Sequence, residues 1–162
     1  MGRLALVWEL GRNLGHLSRL APLARRLEAG GHEVAVVVRD PAQAAQLLPG
    51  GRIRVLPAPG AGGHKYATTQ PVSYANLLLS SGWDNAEGLT VRLRSWVQLF
   101  ADLRPQLLVL DFAPTALLAA RVLGLPCALL GTGFELPPRR RRLPRQGDSL
   151  KLDSRGGFAL GR

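Results

Sequence analysis

A single cysteine, Cys127, stands in a chain of 162 residues, and lysine is almost as scarce, with 2 against 19 arginines. One thiol excludes an internal disulfide framework and fits a reducing compartment. The three histidines (His16, His32 and His64) and the lone cysteine lack the clustered spacing of a zinc site. No Asp-x-Asp pair is present to hold a metal-bound diphosphate, and no Gly-x-x-x-x-Gly-Lys-Ser/Thr loop to cradle nucleotide phosphates. Long apolar runs are missing too. Met1–Trp8 reaches the acidic Glu9 within one strand length, which argues against a signal peptide. The most apolar region, residues 106–134, is broken by Asp111, Arg121 and two prolines, so it reads as core rather than as a membrane span. These absences point to a cytoplasmic location and to a chain without a transmembrane segment.

What is plentiful is arginine, and it is unevenly placed. Of the net charge of +10, residues 1–138 (13 basic, 9 acidic) carry +4, and residues 139–162 (8 basic, 2 acidic) carry +6. The basicity thus belongs mostly to a short tail whose one aromatic is Phe158. Nucleic-acid recognition calls for a basic face on the fold itself, with aromatics among the cations, and is disfavoured. Hydrophobic residues make up 46% of the chain, enough to bury one domain's core. From Arg139 onward no period of 2 or 3.6 is visible. The expected organisation is one α/β domain over residues 1–138 and an Arg-rich disordered tail over 139–162.

Strand and helix patterns alternate along the domain. Arg3–Trp8 is a short apolar run suited to a buried parallel strand. Leu17, Leu20, Leu23, Ala24 and Leu27 then recur at helical spacing, with Pro22 expected in the first turn or at a kink and Gly30-Gly31 as the stop. Residues 33–39 form the clearest strand, Asp40-Pro41 opens a helix through Leu48, and residues 52–56 give a third strand. Residues 57–70 read as a long glycine- and proline-rich loop. Helical periodicity follows over 72–81 and again through Leu89, Leu93, Trp96, Phe100 and Leu103. A fourth strand (106–111), a helix (114–123) and a fifth strand (126–130) complete a doubly wound, Rossmann-like parallel sheet with helices on both faces.

Sheets of this kind bind ligands beyond the carboxyl ends of their strands. Three features fall there. The turn Gly11-Arg12-Asn13-Leu14-Gly15-His16 leads into a helix, where glycines permit close backbone approach and helix amides attract anions; a plain strand-to-helix turn would need the same residues. His16 sits beside a helix N-terminus, whose dipole favours the neutral imidazole a general base requires, although a helix-capping or packed histidine would occupy the same place. Asp111 ends an apolar strand. It is either an N-cap for the helix at Pro114 or a partner that fixes the tautomer of His16 across the sheet. Gly131, Thr132 and Gly133 follow the fifth strand at the same edge.

The Gly-x-x-x-Gly-His turn, the Pro22-Leu23-Ala24 helix and Gly31-His32-Glu33-Val34 entering strand two resemble the N-terminal domain of GT-B glycosyltransferases. The likeness is to the group of UDP-glycosyltransferases and macrolide glycosyltransferases, with MurG more distant. The segment from Leu110-Asp111-Phe112-Ala113-Pro114-Thr115 to Gly124-Leu125-Pro126 is similar to that group's second N-terminal signature. The resemblance covers about residues 3–138. It implies transfer of a sugar from a nucleotide-sugar donor to the hydroxyl of a small-molecule acceptor, usually with inversion and without a bound metal or other cofactor. It further implies His16 as the base and Asp111 as its charge partner, with Gly11, Asn13, Gly15, Gly131, Thr132 and Gly133 near the substrates.

In that fold a second, C-terminal domain holds most of the donor, and the family-like sequence here stops at Pro138. An arginine-rich, lysine-poor tail is what a shifted frame in GC-rich coding DNA would yield. The expectation is a truncated or frameshifted chain that lacks the donor domain and is inactive alone. Two other readings remain open. One is an NAD(P)-binding Rossmann domain of an oxidoreductase, with Asp40 placed for a ribose, although Asn13 and His16 stand where its glycine fingerprint needs glycines. The other is a non-catalytic acceptor-binding module.

Overall fold

The computed structural model describes residues 1–11, 15–60 and 73–131, together with the backbone of residues 150–152 and 158–160. Five strands, β1 (Arg3–Trp8), β2 (Glu33–Val38), β3 (Arg54–Pro57), β4 (Leu107–Asp111) and β5 (Cys127–Leu130), form one sheet in the order β3-β2-β1-β4-β5. All four pairings are parallel. Between them run α1 (Gly15–Ala29), α2 (Pro41–Leu47), α3 (Tyr74–Leu78), α4 (Ala86–Leu103) and α5 (Pro114–Val122). This is the doubly wound Rossmann-like sheet that the strand and helix alternation predicts.

The sheet is parallel because each strand is apolar on both sides and a helix intervenes to carry the chain back. Alternate residues feed two cores. Ala5, Val7, Val37, Leu108 and Leu110 pack with Trp96 and Phe100 of α4 and Ala116, Ala119 and Ala120 of α5. Leu6, Trp8, Val36, Val38 and Val109 pack with Leu17, Leu20 and Ala24 of α1 and Ala44 of α2. The small residues of α5 let that helix lie close to the strands, whereas α4 fills its space with two aromatic rings.

Local signals set most element ends. The Asp40 side chain accepts from the Gln43 amide and Pro41 follows, so α2 starts there. Asn85 does the same for α4 through the Gly88 amide, and Arg104 ends that helix in the left-handed conformation at φ 46°. Gly31, at φ +83°, closes α1. Some boundaries depart from the sequence pattern. α1 begins at Gly15, ahead of Leu17, and Pro22 lies in its interior instead of its first turn. The helix expected over 72–81 is shorter, because after Leu78 the chain passes through a π-helical turn, Leu79–Trp83, where Gly82 leaves helical space at φ 78°. Within the tail, two strands not read from the sequence, β6 (Leu150–Leu152) and β7 (Phe158–Leu160), pair antiparallel. Most of the loop read at 57–70 lies outside the described residues.

Candidate functional site

The strand order fixes where a site can form. From β1 the chain winds outward to β2 and β3, then returns to start β4 on the other side of β1, so the loops after β1 and β4 diverge and leave a crevice between them. Register makes the placement definite: Trp8 stands opposite Asp111, and Asp111 opposite Leu130. The last residues of three neighbouring strands therefore form one row at the carboxyl edge. Trp8 and Asp111 share the parity of Leu6 and Val109, which face α1.

His16 enters this row from the first turn of α1. Its Nδ1 lies 2.9 Å from Asp111 Oδ1. The carboxylate is wholly buried and the imidazole only 7% exposed. A carboxylate can only accept, so Nδ1 carries the hydrogen and donates it. In the neutral ring the lone pair is then on Nε2. The ring is held between two others, Trp8 at 5.2 Å and 19° and Phe112 at 5.8 Å and 16°. Two near-parallel rings packed against the imidazole oppose its tilting out of plane. The indole N–H of Trp8 donates to the Leu10 carbonyl, while the Leu10 amide donates to the Phe112 carbonyl at 3.0 Å. These bonds join the two turns that supply the sandwich.

Gly11 completes the geometry. It has φ +93°, and a Cβ there would stand 2.8 Å from His16 Nε2. Glycine is required twice over, for the backbone conformation and for space beside the basic nitrogen. Gly15 differs: a Cβ on it would meet nothing within 4 Å among the described residues. Gly131 extends the carboxyl-edge row one residue past Leu130, at φ 152°. Asn13, Thr132 and Gly133 lie outside the described residues.

Three groups at this edge carry no signature in the sequence alone. Arg19, one helical turn beyond His16, places Nη2 3.2 Å from Asp111 Oδ1. It is also 3.2 Å from His16 Nδ1. Since Nδ1 already donates to Asp111, the Arg19 hydrogen bond is the one to the carboxylate. Glu9 is the second. Its buried carboxylate accepts from the Thr115 amide at 2.8 Å and the Ala116 amide at 3.2 Å, at the N-terminus of α5. Burial pushes the Glu9 carboxyl above its ordinary range, against the pull of the Thr115 and Ala116 hydrogen bonds and of the Arg92 guanidinium. This settles one alternative for Asp111. The N-cap of α5 is Ala113, without a side-chain bond, and Glu9 satisfies the helix amides, so Asp111 is left to His16 and Arg19. Tyr74 is the third, its ring 6.4 Å from Phe112. Burial, and secondarily the charge of Glu9, raise its phenol above the ordinary value.

A concavity of about 450 Å³ lies at the opposite, amino-terminal edge of the sheet, lined by Arg3, His32, Arg54 and Gln106 among others. Asp40, the residue a ribose would need in a dinucleotide-binding domain, is engaged as the α2 cap. Among the described residues no group of three or more His, Cys, Asp or Glu could hold a metal ion, and no helix is long and apolar enough to cross a membrane.

No family model and no curated protein matches the chain. Solved structures do. A UGT transferase from Siraitia grosvenorii in complex with UDP aligns at TM-score 0.52 and 22% identity, over 80% of this chain and 28% of that one. The glycotransferase of kitacinnamycin aligns at 0.52 and 26% identity, over 79% of this chain and 30% of that one. Phytolacca americana UGT2, complexed with UDP-2fluoro-glucose and pterostilbene, aligns at 0.53 and 21%, over 78% and 29%. The fold is thus one half of a GT-B glycosyltransferase structure, and it resembles the N-terminal half. The chain spans less than a third of the length of these structures.

Proposed function

We propose that residues 1–138 are the acceptor-side domain of a glycosyltransferase, working on a nucleotide-sugar donor and an acceptor hydroxyl. His16 is the general base. Its Nε2 takes the hydroxyl proton as the acceptor oxygen attacks the anomeric carbon and the nucleoside diphosphate leaves. Asp111 holds Nδ1–H, fixes the tautomer and stabilises the imidazolium that forms. Gly11 and Gly15 keep the approach to Nε2 open, and Asn13, Gly131, Thr132 and Gly133 are proposed to border the substrates. The donor's main binding residues are proposed to lie outside residues 1–138, so that this half alone does not turn over.

The observation that carries this reading is the 2.9 Å contact of His16 with a fully buried Asp111 at the point where the strand order reverses, with Gly11 beneath Nε2. The like fold of structures holding UDP, or UDP-2fluoro-glucose and pterostilbene, supports the substrate class.

The test has two parts. Phenolic and macrolide hydroxyl acceptors titrated onto the isotopically labelled chain should shift the resonances of His16, Gly11 and Gly15 saturably. Transfer from UDP- and dTDP-sugars, measured by mass spectrometry with the donor half supplied, should fall about 10²–10⁴-fold in His16→Ala, the usual contribution of a positioned base. Transfer that survives the substitution removes His16 from the reaction. A saturable response to NAD(H) and none to acceptors or nucleotide sugars would instead favour dinucleotide binding.

A further inference from the structure

A histidine with a buried aspartate behind it is useful as a base only while it is neutral. Asp111 is fully buried and its Oδ2 has no hydrogen-bond partner among the described residues. An isolated carboxylate in that position is costly, and the nearest titratable group would relieve the cost by taking up a proton. Were His16 the only group available, it would rest as the imidazolium, with no lone pair to receive a hydroxyl proton. Arg19 changes that balance. Its Nη2 meets the same Oδ1 that His16 contacts, at 3.2 Å, and its guanidinium is permanently charged.

We infer that Arg19 is a positioning residue of the site, neutralising Asp111 so that His16 rests as the neutral Nδ1–H tautomer with Nε2 ready to accept. The inference rests on the reading of His16 as base, but it concerns the ring's charge and not turnover. Helical spacing makes the arrangement possible: His16 and Arg19 are three residues apart and so lie on one face of α1. Among the described residues the nearby acid, Glu9, is turned to the α5 amides with Arg92 near it, and Arg19 is the arginine bonded to Asp111.

Nitrogen-15 spectra of the full chain labelled in histidine test this directly, since a neutral ring gives two widely separated nitrogen signals and an imidazolium two close ones. His16 is assigned by its loss in His16→Gln. At about pH 7 the unmodified chain should show the widely separated pair. In Arg19→Gln the pair should collapse to the imidazolium pattern, and Arg19→Lys, which restores a cation, should recover the separation. The Arg19→Gln/Asp111→Asn double variant should also keep the neutral pattern, because no charge is left to balance. An imidazolium pattern in the unmodified chain overturns the inference without any variant having to fold. So does a neutral ring in Arg19→Gln. Failure of the base reading would appear elsewhere, as transfer that survives His16→Ala.

Discussion

Gly11, His16 and Asp111 act as one unit at the scale of single residues. Gly11→Ala would demand a φ of +93° from an L-residue and bring Cβ to 2.8 Å from Nε2. The expected loss is roughly 1–3 kcal/mol of stability in denaturant unfolding, with displaced His16 resonances. Gly15→Ala should do neither, because its Cβ meets nothing within 4 Å among the described residues. A variant pair that behaved alike would show that the turn, and not the space beside Nε2, sets the requirement. His16 and Asp111 were legible in the sequence because each sits at an element junction where a polar residue needs a reason. Arg19 was not. It falls off the apolar stripe of α1 among Arg25, Arg26 and Glu28, and a charge on that face ordinarily belongs to solvent. Its partner is 92 residues away, a separation that no local pattern encodes.

Among the elements, the link between β1 and α5 is the least expected. A helix usually finds its cap in the residue before it, and α5 takes one from the end of a strand more than a hundred residues earlier. The raised Glu9 carboxyl has a definite consequence for stability. In the folded chain it holds its proton to higher pH than in the unfolded chain, where the ordinary value of about 4.5 applies. Its contribution is therefore fully present below that value and is lost as pH rises through the folded-state value. Glu9→Gln keeps an oxygen to accept from the α5 amides but cannot ionise. Unfolding midpoints of the two chains, compared from about pH 4 to pH 8, should diverge in favour of the variant as pH increases; a constant difference would mean that Glu9 titrates alike folded and unfolded. Asp40→Ala removes an ordinary cap and should cost about 0.5–2 kcal/mol with no such pH trend. The alternation of strands and helices was readable because both periods are strong. The π-helical turn at Leu79–Trp83 was not, since its apolar spacing passes for a continued α-helix until Gly82.

For the molecule as a whole, two cores on one sheet divide the work. The core under α4 and α5 depends on Trp96 and Phe100, both essentially inaccessible, and lies on the sheet face away from His16. Trp96→Ala should cost about 3–5 kcal/mol, read from denaturation midpoints. The core under α1 and α2 is also the floor of the site, since Trp8 belongs to it and to the sandwich around His16. Truncating Trp8 should therefore lower stability and loosen the imidazole together. Charge is divided as well, with +4 on residues 1–138 against +6 on residues 139–162, so most of the excess positive charge is carried by the last part of the sequence.

The pairing of Trp8 with Asp111 across β1 and β4 ties assembly to the proposed site. Strand side chains alternate between faces, so a slip of one residue between these strands would turn Asp111 away from α1 and into the apolar core beneath α4 and α5. The carboxylate thus proofreads its own strand. A mis-registered sheet would have to bury an unpaired charge, and only the correctly zipped one brings Asp111 to the ring it supports.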